Sequence, residues 1–304
     1  MTPPTRRTVE LSGGHIEYED SGGDGPTLVL LHGLLMDDSL WEQVVTELAP
    51  KHRCVRPVLP LGAHRRAMEA EADLSPHGQA RMVTELLERL RLEDVTLVGN
   101  DTGGAIVQLI AADERLNARV GRIVLVSCEA FDNVPPGLTG RTVVMAGKLP
   151  PALFGAFFQQ MRLKPLRRLP IAFGWLTRRG DATVAQWIRP VLSDRAIRRD
   201  AVNVLRGLGA HRGMLVEIEA DLAAFDRPAL VVWAREDRVM PPAHGLRLAE
   251  LLPHGELVEV DDSYTLIPLD QPVALARHIK DFVAAAPRAR SLVTSAARQR
   301  SWEQ

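Results

Sequence analysis

Apolar and polar positions follow three rhythms along the 304-residue chain. Residues 8 to 20 alternate, with Val9 and Leu11 before Gly13-Gly14 and Ile16 and Tyr18 after it, which predicts a β-hairpin. Thr27 to Leu31, just before His32-Gly33, is a continuous apolar run and reads as a strand buried on both faces. Ser39 to Leu48 carries Trp41, Val44, Val45 and Leu48 at helical spacing. Cys54 to Pro60 predicts a further strand. Ser75 to Leu92 predicts a long amphipathic helix opened by Ser75-Pro76 as N-cap and first helical residue. Val95 to Val98 and Arg122 to Ser127 are buried strands, with an apolar helix from Ala105 between them.

Strands alternating with helices at this spacing predict an α/β fold with a mostly parallel, doubly wound sheet. The alternation stops near Asp132 and resumes at Pro228 to Ala234, followed by Leu257 to Val260 and a last helix from Val273 to Ala285. Residues 1–131 and 226–286 are therefore expected to form the core. Residues 132–225 are expected to form an inserted helical cap over the carboxyl ends of the strands, where such sheets bind ligands. Residues 287–304, rich in Arg, Ser, Ala and Gln, are expected to form a flexible tail.

Composition narrows the function without naming it. A net charge of −1 argues against nucleic acid as a partner. Cys54 and Cys128 make no disulfide framework, so a reducing, cytoplasmic setting is expected. No apolar run approaches the ~18 residues of a membrane span, and the expectation is no membrane partner. Between Arg162 and Arg212 the chain has twelve Arg and Lys against Asp181, Asp194 and Asp200. That bias reads as solvated helix faces, or as an approach lined for an anionic substrate.

Candidate chemistry concentrates in Val95-Thr-Leu-Val-Gly-Asn-Asp-Thr-Gly-Gly-Ala105. A buried strand turns sharply through Gly99, Gly103 and Gly104 into an apolar helix, with Asp101 at the apex. A dinucleotide fingerprint fails at its second glycine, and a phosphate loop fails for want of a Lys after Gly104. What remains is G-x-S-x-G with Asp in the serine position, the nucleophile-elbow pattern, or a solvated Asp in a glycine-rich turn.

On these residues the chain resembles an α/β-hydrolase of the aspartate-nucleophile branch, which includes haloalkane dehalogenases, haloacetate dehalogenases and epoxide hydrolases. The resemblance covers about residues 8–286. It implies Asp101 as nucleophile, with oxyanion or halide-binding N–H groups from Leu34, after His32-Gly33, and from Thr102. It implies Asp237, in Trp233-Ala-Arg-Glu-Asp-Arg-Val-Met-Pro241, as the triad acid. Glu129 stands where some dehalogenases keep that acid instead, or else caps a loop. His32 either ties loops together or touches substrate, and Trp175 and Trp187 in the cap are donors to substrate or packing.

One position departs from the pattern. Where the family reads about D-S-G-H-F-x-P, this chain has Asp262-Ser-Tyr264-Thr265-Leu-Ile-Pro268, so Thr265 replaces the histidine base. No histidine lies between His254 and His278. Tyr264 and Thr265 are then expected to contact substrate. The leading expectation is an enzyme, without cofactor or metal, that hydrolyses a carbon–halogen bond or epoxide of a small, largely apolar substrate, with slow ester hydrolysis. The alternatives are a non-hydrolytic acid/base enzyme built on Asp101 and a catalytically silent binding protein. A homodimer is the assembly to test.

Overall fold

Strand pairing follows the apolar runs. The computed structural model describes residues 6–285, so the tail expected over 287–304 lies outside the described residues. Eight strands form one sheet: β1 (Arg6–Leu11), β2 (Gly14–Asp20), β3 (Thr27–Leu31), β4 (Arg53–Pro57), β5 (Val95–Asp101), β6 (Val120–Cys128), β7 (Ala229–Ala234) and β8 (Gly255–Val260). Their order is β1-β2-β4-β3-β5-β6-β7-β8. β2 runs antiparallel to β1 and β4, and every other pair is parallel. The outer β2 alternates, burying Ile16 and Tyr18 while His15 faces water. The central β5, β6 and β7 are buried at every residue, as parallel strands covered on both faces must be.

Helices cover those faces. The helix Pro76–Arg89 starts where Ser75 Oγ accepts from the Gly78 N–H at 3.1 Å, the cap that the Ser-Pro pair predicts. Between β6 and β7 the described residues contain no strand, only helices from Gly137–Ala146 to Glu219–Leu222. The longest, Arg195–Ala210, buries Ile197, Ala201, Val204, Leu205 and Leu208 at spacings of three and four. Its N-cap, Asp194, accepts from the Ala196 and Ile197 N–H groups. No helix among the described residues is long and apolar enough to cross a membrane.

Three polar anchors fix this insertion to the sheet layer. The Trp187 indole donates to Ser39 Oγ at 2.8 Å. Asp270, buried after β8, accepts from Thr177 Oγ1 and from the Arg178 and Arg179 N–H groups. Asp200, buried in the long insertion helix, accepts from the Met68 N–H at 2.9 Å and from His64 Nε2 at 3.3 Å, with Arg199 on its other oxygen. Burial works to raise the Asp200 pKa, but His64, the Met68 N–H and Arg199 outweigh it and hold it below the usual range.

Removing that carboxylate strands two buried N–H donors. Asp200→Ala is expected to cost about 3–5 kcal/mol, read as a lower midpoint in urea unfolding. The wild-type advantage should shrink as pH falls through the carboxylate range, because a depressed pKa stabilises only above it. An unchanged midpoint would remove Asp200 from the anchoring of the insertion.

Candidate active site

The turn after β5 sets the site. β5 ends at Asp101 and the helix Thr102–Ala112 begins at the next residue, leaving no loop to absorb the change of direction. Asp101 takes the whole turn, at φ 56° and ψ −133°, a region costly for a residue with a side chain. Gly99 makes the crossing fit: a Cβ there would lie 2.4 Å from the Gly103 carbonyl oxygen. The Asp101 carboxylate is aimed at the loop after β3. Its Oδ1 accepts from the Leu34 N–H at 3.1 Å and from its neighbour's N–H, Thr102, at 2.8 Å. Its Oδ2 takes no hydrogen bond from the described residues and is left to the cavity that Asp101 lines.

A second carboxyl group stands beside it. Glu129 follows β6, and its Oε1 lies 2.8 Å from Thr102 Oγ1, which is 3.2 Å from Asp101 Oδ1. Thr102 thus bridges the two acids through one hydroxyl. Glu129 is 2% exposed and its Oε2 is buried without a hydrogen-bond partner among the described residues. Burial, and then the charge of Asp101, push the Glu129 pKa well above the usual carboxylate range. Burial also raises Asp101, against the opposing N–H groups of Thr102 and Leu34. Of the two, Glu129 is pushed further towards its protonated form, in which a carboxylic acid can donate.

Asp237 and Thr265 form a separate cluster. Asp237 Oδ1 accepts from the Val239 and Met240 N–H groups, both at 2.9 Å, and from Thr265 Oγ1 at 2.8 Å. Its Oδ2 is buried without a partner among the described residues. Burial raises its pKa to about 6 against those three donors. Thr265 is fully buried, and its carbonyl accepts from Asn100 Nδ2 at 2.8 Å. Asn100 Nδ2 also lies 2.8 Å from the Val126 carbonyl and 3.1 Å from that of Ser127, so the residue before Asp101 clasps β6 and the Thr265 loop together.

The cavity, about 190 Å³, is walled by Leu34, Leu35 and Met36 below and by insertion residues such as Val143, Phe157, Phe158, Met161 and Phe173 above. Asp101, Thr102 and Glu129 are the polar groups at its floor, with Thr139, Thr142 and Gln160 on the insertion side. No Arg or Lys lines it; of the basic residues of the insertion, Arg167 is buried on Asp181 while Arg141, Lys148, Arg162, Lys164 and Arg168 are exposed.

Five residues expected at the substrate lie outside this lining. His32 is fully buried, with Nδ1 donating to the Gly33 carbonyl and Nε2 accepting from the Leu59 N–H, both at 2.9 Å. Burial lowers its pKa to about 4, so it stays neutral and ties loops. Trp187 spends its indole N–H on Ser39, and Trp175 packs against the core. The Tyr264 ring lies between the Arg178 and Arg238 guanidinium groups, at 4.6 and 5.0 Å. Thr265 is turned to Asp237, behind the floor. Sequence reasoning missed the Thr102 hydroxyl bridge and the Asn100 clasp. A carboxamide beside Asp101 in a mostly apolar strand was the one signal for Asn100. Cys54 and Cys128 are free and buried, and no cluster among the described residues could hold a metal ion.

The raised Asp237 pKa has a sign that can be tested. A carboxyl whose folded pKa exceeds its unfolded value favours folding while protonated, so its cost appears as pH rises from about 4 to 6. Asp237→Asn keeps an acceptor for the two N–H groups and does not ionise. The variant should gain on wild type across that window, by up to ~3 kcal/mol in chemical denaturation. A stability difference independent of pH would contradict the raised value.

The geometry can be set beside known proteins. A sequence model described as the alpha/beta hydrolase fold matches residues 26–272. Haloalkane dehalogenase 2 of Mycobacterium tuberculosis (strain ATCC 25618 / H37Rv) is 27% identical over 283 residues, covering 92% of this chain and 95% of that protein. An uncharacterized hydrolase of Bacillus subtilis (strain 168), YugF, is 25% identical over 301 residues, covering 93% and 98%. The crystal structure of a putative ancestral haloalkane dehalogenase superposes with a TM-score of 0.73 at 21% identity, covering 91% of this chain and 98% of that one. The match spans both strand groups and the turn that carries Asp101, so the chain belongs to the α/β-hydrolase fold family and resembles its dehalogenase branch.

Proposed function

We propose that the protein is a hydrolase-type enzyme in which Asp101 attacks an electrophilic carbon of a small, largely apolar substrate. The observation that carries this reading is the Asp101 carboxylate at the floor of an apolar cavity, with Oδ1 held by two backbone N–H groups and Oδ2 left for attack. Fixed donors on Oδ1 hold the carboxylate in one rotamer, so less ordering is needed at the moment of reaction. The similarity to a haloalkane dehalogenase supports a carbon–halogen bond as the target. The upward push on the Glu129 pKa supports a strained ring oxygen, since an epoxide needs a proton where a halide does not.

For an epoxide the steps balance with these two acids. Asp101 Oδ2 bonds to carbon, the ring C–O bond breaks, and the Glu129 proton passes to the released oxygen. Asp101 is then a neutral ester, so the charge that helped to hold the Glu129 proton is gone. Glu129, now a carboxylate, takes a proton from water as the water oxygen adds to the ester carbonyl. The Leu34 and Thr102 N–H groups face the oxyanion that forms. Collapse returns the Asp101 carboxylate, protonates the product alcohol and leaves Glu129 protonated. Glu129 thereby takes the role left open by Thr265.

A second reading has its own support. Among the described residues no imidazole lines the cavity, and both floor carboxyls are pushed towards the protonated form. That pair suits an elimination, cyclisation or rearrangement that uses no water.

Short haloalkanes and terminal epoxides test the first reading. Wild type should show a mass adduct on the peptide carrying Asp101, and water-derived ¹⁸O should enter the product through that carboxylate over repeated turnovers. Asp101→Ala should lose adduct and turnover while its melting temperature holds or rises, because a strained, desolvated carboxylate is removed. Glu129→Gln should still form the haloalkane adduct, while its turnover of epoxides falls ~10²–10⁴-fold. An active Asp101→Ala protein sinks the proposal. Product lacking solvent oxygen, with no adduct, transfers it to the second reading.

A further inference from the structure

The insertion turns a water-facing surface of unusual composition outward. Residues 133–180 contain eight Arg and Lys and no Asp or Glu, leaving 29 Arg and Lys against 38 Asp and Glu in the rest of the chain. Arg141, Lys148, Arg162, Lys164 and Arg168 are exposed, and none of the five forms an ion pair among the described residues. Large apolar side chains stand among them: Leu138 is 52% exposed, Met145 66%, Leu153 57% and Leu163 59%. They lie on or beside the helices Gly137–Ala146 and Pro151–Phe158, whose inner residues wall the cavity. Phe157, Leu169 and Ile171 belong to both surfaces, since each lines the cavity and is about 40% exposed. The apolar interior therefore opens through this face.

We propose that this face docks on an anionic lipid surface, with the apolar side chains in the headgroup boundary and the cations on lipid phosphates. Three observations select that occupant. Exposed apolar side chains in such number on one face leave an interfacial free energy that an acyl boundary recovers. Unpaired cations around them match a negatively charged leaflet, and their long stems lie along apolar surface while the charge stays in water. The cavity mouth lies within the patch, so a docked enzyme takes an apolar substrate from the phase in which it concentrates. A second copy of this chain fits worse. A two-fold interface would set these cations against themselves, with no acidic residue between 133 and 180 to answer them. The sequence expectation of no membrane partner rested on the lack of a spanning run and does not bear on a peripheral face.

Sedimentation of the full chain with vesicles tests this without any substrate. Vesicles about one-third phosphatidylglycerol should carry the protein down at low salt, and pure phosphatidylcholine vesicles should carry far less. Binding should weaken as salt rises from about 0.01 to 0.15 M, since the Debye length falls from ~30 to ~8 Å. Arg162→Gln with Lys164→Gln should weaken binding about 30-fold, and Leu153→Glu with Leu163→Glu should abolish it. These four residues lie off the cavity lining, and unchanged melting temperatures would show both variants folded. Absence of vesicle binding at low salt overturns the proposal, as does binding by the Leu153→Glu, Leu163→Glu protein at wild-type strength. A dimer that forms through this face, lost in the same variant and indifferent to vesicles, assigns the surface to a second copy instead.

Discussion

Everything around the site depends on one residue holding a backbone conformation that it pays for. Asp101 at φ 56° turns a buried strand directly into a buried helix, and such a residue costs of order 1–3 kcal/mol. The surrounding contacts over-determine that conformation. Gly99 lets the helix start lie on the strand end, and Asn100 ties the strand to β6 and to the loop after β8. Gly33 is bare because a Cβ there would sit 2.2 Å from Asp101 Oδ1. The same packing that enforces the turn brings the Leu34 N–H onto the carboxylate. Strain and the positioning of Asp101 are one arrangement.

Buried acids sort into two kinds on physical grounds. Asp200 and Asp270 each collect several donors and hold the insertion in place. Glu129 and Asp237 each keep one oxygen buried without a partner among the described residues, and burial raises both. A carboxyl group left half-satisfied in a dry site is a poor structural element and a ready place for a proton. Glu129 differs from Asp237 in lining the cavity. Asp237 lies off that lining and accepts from the Thr265 hydroxyl.

Much of this was legible in the chain. Val95 to Ala105 alone carries the strand, the turn and the helix, because a glycine pattern around one charged residue reports backbone geometry directly. The hairpin, the central strands and the Ser75 cap are likewise local, each set by a period or a capping side chain. What was not legible depends on contacts across the fold. Glu129 meets Thr102 only because β5 and β6 pair, and Asn100 reaches Thr265 across 165 positions. Trp175 and Trp187 mislead for the opposite reason: an indole's apolar bulk can pack into a core as readily as line a pocket, and only tertiary placement decides.

The insertion is fastened unevenly. Its side-chain anchors to the sheet layer sit at its two ends, Asn133 on the Val239 carbonyl and Glu219 on Arg247, and between Thr177 and Asp200. Among the described residues, the side-chain hydrogen bonds of residues 137–171 run to other parts of the insertion, such as Thr139 to the Pro170 carbonyl and the Gly147 carbonyl to Arg206. Most of the upper wall of the cavity comes from that less tethered half. Apolar contacts are non-directional and can slide with little loss where hydrogen bonds cannot. The floor is therefore a rigid jig and the wall opposite it a soft one. If Asp101 attacks as proposed, such a site is fastidious about the atom attacked and tolerant of the shape attached to it.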